Sequence, residues 1–373
     1  MTWLVVFLSL LFFFPHILWQ MKHGFPSIMY QLHGWVSPIY KISFTTDYLL
    51  GQLLIAGPLL GWLFIWSALR KKPDGMLEKA MMWSIVGVYV VFLISSFGKR
   101  TQANWTIPLI APLILLSYRY LITDEKKARW VYSAVPYSLV LICIARLYMF
   151  LDITPYKFIP KDEFHGNKQW VLDVQKKAAG RSVVFTNSYQ RPSKYWFYSG
   201  DTSFSVNGYT YRQNNYNLWP LESRLQGKKV MAVGSMNPNL AEDSIMFPRL
   251  KLAITYIDSF DSHSQIMIEQ EDDLFLDANG ILNARLLFNS TSSSELGRAI
   301  KQHPELMLII YQQDEKESII INTGQQLTEE AAKGLSIKVQ LPKMTEKKYF
   351  VRWGLSNSLH APTINSRIYK MVN

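Results

Sequence analysis

Five apolar runs, 3–19, 48–69, 80–97, 105–121 and 130–151, fill most of residues 1–152. Each holds about 17–25 residues, enough for an α-helix to cross a hydrocarbon core of roughly 30 Å. Runs of this length side by side exceed what an ordinary soluble core buries, so the sequence predicts a membrane domain of about five transmembrane helices. The first run lacks a basic leading segment and a small-residue cleavage site, and it ends in Trp19 and Gln20, so it reads as a span and not as a signal peptide. From residue 153 onward the composition is that of mixed globular sequence. The mean hydropathy of +0.02 over 373 residues therefore averages two unlike parts.

Charge placement orients the spans. Arg70, Lys71, Lys72 and Lys79 follow the second run, and Lys126, Lys127 and Arg129 follow the fourth, with Arg119 at the end of that run. Cationic loops stay in the cytoplasm, so these are inside loops and most of the net charge of +11 reflects topology. Trp19, Trp105 and Tyr148 fall near span ends, where amphipathic rings anchor. The loop 20–47, the hairpin 98–104 and everything after the fifth run then face outward. Lys99 and Arg100 break the pattern, because they stand at the mouth of an outward hairpin, and Arg146 lies in the outer third of the fifth run. A cation at that depth needs a polar partner, and a guanidinium suits a phosphate, which it grips with two parallel hydrogen bonds. These three residues are the candidates for holding a lipid phosphate. The competing reading is that they snorkel to headgroups without a substrate.

The outward loop carries Phe25, Ile28, Met29 and Leu32 at helical spacing, which predicts a short surface helix. His23, His33 and Asp47 are its titratable candidates for proton transfer, against the plainer reading of solvated polar groups. The lone cysteine, Cys143, excludes a disulfide within the chain, and no cysteine or histidine run has zinc spacing. "EDDLFLDANG" lacks the order of a calcium loop. No nucleotide loop and no nucleic-acid patch is present, so no cofactor is expected.

After the spans the pattern predicts two extracytoplasmic domains. Over 153–261, "RSVVFTNSYQ" and "KKVMAVGSMN" are β-runs with polar ends, and "RPSKYWFYSG" reads as a helix closed by Gly200. That alternation predicts an α/β domain whose polar strand ends share one rim, where open sheets take ligands. Over 262–373, short β-runs separated by turn residues predict a β-sandwich domain. Neither an inverted repeat nor a broken-helix pair is visible, which weighs against a transporter.

"FFPHILWQMKHGFPSIMYQLHGW", "LLGQLLIAGPLL" and "SFGKRTQANWTIP" resemble the C-terminal half of bacterial family-39-like glycosyltransferases, relatives of protein O-mannosyltransferases and of the aminoarabinose transferase of lipid A. "TNSYQRPSKYWFYSG" and "YRQNNYNLWP" resemble the region that follows the spans in such proteins, so the resemblance covers roughly 10–220. It implies a membrane enzyme of the GT-C class in a bacterial inner membrane, moving a sugar from a polyprenyl-phosphate donor to a lipid, glycan or protein acceptor on the outer face. Lys99, Arg100, Asn104, Trp105, Arg146, His23, Tyr189, Gln190 and Arg212 are the substrate-binding candidates it implies. The family's catalytic acid sits in a first outward loop that precedes the part resembling residue 10, so a catalytic residue is not assigned and an N-terminal partner chain or preceding segment is expected. The alternative is a non-catalytic membrane anchor that presents a binding or assembly domain for cell-surface glycans.

Overall fold

Three of the five apolar runs become helices long and apolar enough to cross a membrane in the computed structural model. They are α1 (Thr2–Lys22), α4 (Met76–Ser96) and α6 (Glu125–Phe150). The structure describes residues 2–23, 25–28, 40–123, 125–151, 164–209, 211–234, 239, 241–247, 250–271, 274–277, 279–290, 292–312, 318–342 and 348–372. The chain divides into two units, Met1–Thr154 and Pro155–Asn373.

The second run is not one helix. α2 (Ile42–Ala56) and α3 (Gly61–Arg70) meet at 87°. Gly57 at the break has φ +143°, a conformation that favours glycine, and Pro58 follows without an N–H to continue the ladder. A Cβ on Gly61 would lie 1.9 Å from the Leu53 carbonyl oxygen, so the two pieces touch through backbone. The expectation of no broken-helix pair is thereby corrected: hydropathy registers an unbroken apolar run, whereas the bend is decided by two backbone dihedrals. The fourth run also differs from expectation. It is a 3-10 stretch, Ala103–Leu109, containing Pro108, followed by the 12-residue α5 (Ile110–Leu121), which alone rises only about 18 Å. In place of five uninterrupted spans, the described residues hold three helices long and apolar enough to cross, or four if the bent pair makes one crossing.

Elements α2 to α5 form the packed part of this unit. Ala68, Ile85, Leu113 and Leu116 make one buried cluster, and Leu60, Leu63 and Leu121 another. Buried Glu78 in the first turn of α4 accepts from the Arg119 guanidinium at the end of α5 and from the Asp74 amide at 2.8 Å. Lys71 pairs with Asp74 at 2.7 Å, and its ammonium also holds the Asp74 carboxyl below the ordinary carboxylate range. α6 packs on this core through Val131, Ala134 and Val135, and both α1 and α6 leave nearly all their apolar side chains uncovered by the rest of the chain, as helices facing lipid would be.

The second unit begins with α7 (Asn167–Ala178), then β1 (Ser182–Thr186), α8 (Gln190–Ser199), β2 (Phe204–Val206), α9 (Asn215–Leu218), β3 (Val230–Val233), β4 (Asp243–Phe247) and β5 (Leu250–Ile257). Its sheet order is β2-β1-β3-β5-β4. β1 pairs in parallel with β2 and β3, and β5 runs antiparallel to β3 and β4. The period of two in β1 sends Val183 and Phe185 to a core shared with Trp170, Val174 and Tyr195 of the α7–α8 face. Val184 goes to the opposite core with Phe204, Val206 and Tyr216 of α9. Helix α8 ends, as the sequence predicts, at Gly200, whose φ is +79°.

Beyond Ile257 the pattern becomes antiparallel. One sheet holds β6 (Ile266–Gln270), β7 (Phe275–Leu276), β8 (Ile281–Ser290) and β11 (Leu335–Gln340). The other holds β9 (Glu305–Gln312), β10 (Ser318–Gln326), β12 (Lys348–Leu355) and β13 (Tyr369–Val372), in the order β10-β9-β12-β13. Alternate residues of both, among them Leu282, Leu286, Leu308, Ile310, Val351 and Trp353, close one core between the sheets. Two helices absent from the sequence reading, α10 (Ser293–Gln302) and α11 (Glu329–Lys333), join strands here.

The passage from mixed sheet to sandwich is hydrogen-bonded from both sides. Gln226 Nε2 donates to the Ser262 carbonyl at 2.6 Å, and the Ser264 amide donates to Glu222 at 3.1 Å. Asn365 Nδ2 donates to the His263 and Ile266 carbonyls at 2.7 and 2.8 Å, and Ser358 bonds Asp261 through its hydroxyl. The connection is a joint within one unit and not a free linker.

Candidate functional site

The hairpin after α4 is the first place where the expected residues gather. Lys99 is half-buried in the turn and Arg100 is exposed beside it. Asn104 is exposed on the 3-10 stretch, and Trp105 tilts against Phe92 with ring centroids 5.6 Å apart. The anchor of this hairpin is Gln52, buried in the middle of α2. Its Nε2 donates to the Ala103 carbonyl at 3.3 Å, and its Oε1 accepts from the Thr106 hydroxyl at 2.5 Å. Thr45 and Ser96 add a hydroxyl contact at 3.1 Å, and the Tyr48 hydroxyl donates to the Tyr89 carbonyl at 3.0 Å. Gly51 lets the backbones approach, since a Cβ there would sit 2.4 Å from that of Ala103. The hairpin is thus held by polar contacts in an apolar setting, which fixes where Lys99 and Arg100 stand.

Sequence reasoning missed Gln52 and Gly51. The available signal was a lone amide inside an apolar run, which must find a partner at membrane depth. Arg146 is not brought to the hairpin by any ion pair or hydrogen bond among the described residues; it stands exposed on α6. His23 closes the end of α1 instead: its Nδ1 lies 2.8 Å from the Trp19 carbonyl and its ring stacks on Trp19. Asp47 is exposed on α2. Pro26–Ile28 is helical, while Met29, Leu32 and His33 lie outside the described residues.

The second gathering is in the outer unit, at the end of β1. The Ser188 hydroxyl accepts from the Arg191 amide at 3.2 Å and so starts α8. Tyr189 and Gln190 are exposed at this helix start, and the Arg212 guanidinium lies 5.4 Å from the Tyr189 ring centre, so the structure brings these two expected residues together. Arg191, which sequence reasoning passed over, is half-buried with its guanidinium 5.9 Å from the Phe247 ring. Burial draws that guanidinium below its ordinary value, and the Tyr211 phenol opposes the shift. No carboxylate pairs with Arg191 among the described residues. Its signal in the sequence was the cluster of polar residues that follows a β-run.

No group of histidine, cysteine or carboxylate side chains fit to hold a metal occurs among the described residues. Comparison with known proteins adds little to this geometry. No protein-family model matches the chain, and no curated protein sequence matches it. Among solved structures, a DUF3823 family protein from Bacteroides ovatus ATCC 8483 is similar at 12% identity over 32% of this chain and 65% of its own, with a TM-score of 0.19. A likeness of that size carries no argument about fold or function.

Proposed function

We propose that this chain is the lipid-phosphate side of a membrane glycosyltransferase of the GT-C class, which takes a sugar from a polyprenyl-phosphate donor on the outer face of a bacterial inner membrane. The observation that carries the reading is the hairpin: two adjacent cations, Lys99 and Arg100, at the mouth of a turn held by the buried Gln52 clamp. Departure of a phosphate from the sugar builds negative charge, and positioned cations stabilise that charge best when they need no rearrangement. Asn104 and Trp105 on the same segment supply an amide and a ring for the sugar or the lipid. The 3-10 stretch and α5 run back along α4, from the Trp105–Phe92 contact to the Arg119–Glu78 pair, and in this reading they complete a crossing. The acceptor's general base comes from a segment or partner chain outside the described residues.

Binding of undecaprenyl phosphate by the purified chain tests the site. Arg100→Ala removes a charge-assisted contact of about 1.5–3 kcal/mol and weakens binding by roughly ten- to a hundredfold. Arg100→Lys also loses affinity, because an ammonium does not replace the planar fork. Arg70→Ala, in the opposite loop, leaves binding unchanged. Equal effects of Arg100→Ala and Arg70→Ala overturn the proposal.

A further inference from the structure

The connections of the mixed sheet diverge at the end of β1, and Arg191, which pairs with no carboxylate among the described residues, stands there. The β1-to-β2 connection runs through α8, whose Tyr195 packs on the same face as α7. The β2-to-β3 connection runs through α9, whose Tyr216 packs on the other face, and it returns past β1 to pair on β1's far side. The carboxyl ends of β1 and β2, which pair in parallel, therefore open between connections that leave toward opposite faces. Open α/β sheets take ligands at such a crevice.

The local residues suit an anion. Gly234, at the end of β3, has φ +108° and a Cβ there would fall 2.2 Å from Thr186 Oγ1, so the Thr186 side chain at the end of β1 rests directly on the Gly234 backbone. Arg191 in the first turn of α8 has an aromatic ring and a phenol for neighbours. A half-buried cation so placed is costly until an anion completes it. Arg212 stands on the Tyr189 ring at the same helix start. The loop that brings in Tyr211 and Arg212 is held from behind. The Gly208 amide donates to Asn187 Oδ1 at 2.8 Å, the Tyr311 hydroxyl donates to the Tyr209 carbonyl at 2.7 Å, and Arg352 Nη1 donates to the same oxygen at 3.4 Å. The arginines need little ordering on binding, which favours affinity.

We propose that this crevice binds a small organic oxyanion, a phosphate monoester or a carboxylate, gripped by Arg191 and Arg212. The site belongs to the outer unit and stands or falls independently of the hairpin. The experiment is calorimetric titration of the full chain in detergent micelles with glucose 6-phosphate, glucuronate and glucose. At least one acidic probe binds and glucose does not. Arg191→Gln and Arg212→Gln each weaken that binding by about ten- to a hundredfold. Arg181→Gln, which precedes β1 at the opposite end of the strand and removes an ion pair with Asp258 instead, leaves it unchanged. A phosphate site strengthens between pH 5 and 7.5, because the phosphate's second ionisation lies near 6; a carboxylate site does not. Should Arg191→Gln fail to fold, Arg191→Lys keeps the charge and still loses part of the affinity. The proposal is overturned if glucose binds as tightly as the acidic probes, if none of the three binds, or if Arg181→Gln costs as much as Arg191→Gln.

Discussion

Gln52 shows what one polar side chain does in an apolar run. Its amide joins α2 to the hairpin twice, and truncation leaves the Ala103 carbonyl and the Thr106 hydroxyl with fewer partners where water is scarce. Gln52→Leu is expected to lower stability by about 1–3 kcal/mol and, in the proposed enzyme, to weaken lipid-phosphate binding without touching a cation. Thermal unfolding in micelles together with the binding assay checks both; an unchanged melting temperature would show that the clamp is idle. In the outer unit, His263 is buried and its imidazole is pushed down to about 4, by burial first and by the Arg298 charge second. The unfolded chain therefore takes up that proton first. The contribution of neutral His263 is complete above about 6.5 and disappears as pH falls toward 4, a change of roughly 3 kcal/mol. Glu222 and Asp261 beside it are shifted upward by burial, so their contributions run the other way and fade as pH rises. Unfolding curves of wild type and His263→Asn should diverge between pH 4 and 6.5, in favour of wild type at the higher value. Glu222→Gln should be tolerated better at pH 8 than at pH 5, and the reverse order would refute the upward shift of the Glu222 carboxyl.

Among elements, the bent pair α2–α3 is the least expected and the easiest to challenge. The bend rests on Gly57 and on the close approach of Gly61 to Leu53. Gly61→Ala forces the two pieces apart, whereas Gly87→Ala, mid-helix in α4 with open space around its Cβ, is neutral or stabilising by up to about 1 kcal/mol. Comparing the melting temperatures of the two variants in micelles tests the bend. If Gly61→Ala is as benign as Gly87→Ala, α2 and α3 do not meet as described.

At the scale of the molecule, the polar joint at 258–266 predicts that the mixed sheet and the sandwich unfold together. Glu222, Gln226, Ser358 and Asn365 tie that segment to both sides, so neither sheet system opens without breaking the bonds of the other. For residues 155–373, urea transitions followed by tryptophan fluorescence and by far-ultraviolet circular dichroism should coincide; two separated transitions would remove the joint from the account. Orientation is tested by cysteine labelling in a Cys143→Ser background. Positions 79 and 126 should react from the cytoplasmic side, and positions 99 and 200 from the outside. Outward labelling of position 126 would reverse the topology.

Some of this was legible before any coordinates. The apolar runs of α1, α4 and α6, the alternation in β1 and β3, and the stop of α8 at Gly200 follow from local chemistry: transfer free energy, side-chain period and glycine's freedom at positive φ. So did the cationic hairpin, since Lys99 and Arg100 are adjacent in the chain. Tertiary structure alone decided the rest. The break at Gly57 is invisible to a hydropathy window, and the five-residue α11 is too short to register a period. Gln52 finds Thr106, and Arg212 finds Tyr189, across gaps in sequence that no spacing rule connects. Arg191 acquires its meaning only where β1 and β2 lie side by side, because a cation's need for a partner depends on what surrounds it in space and not on its neighbours along the chain.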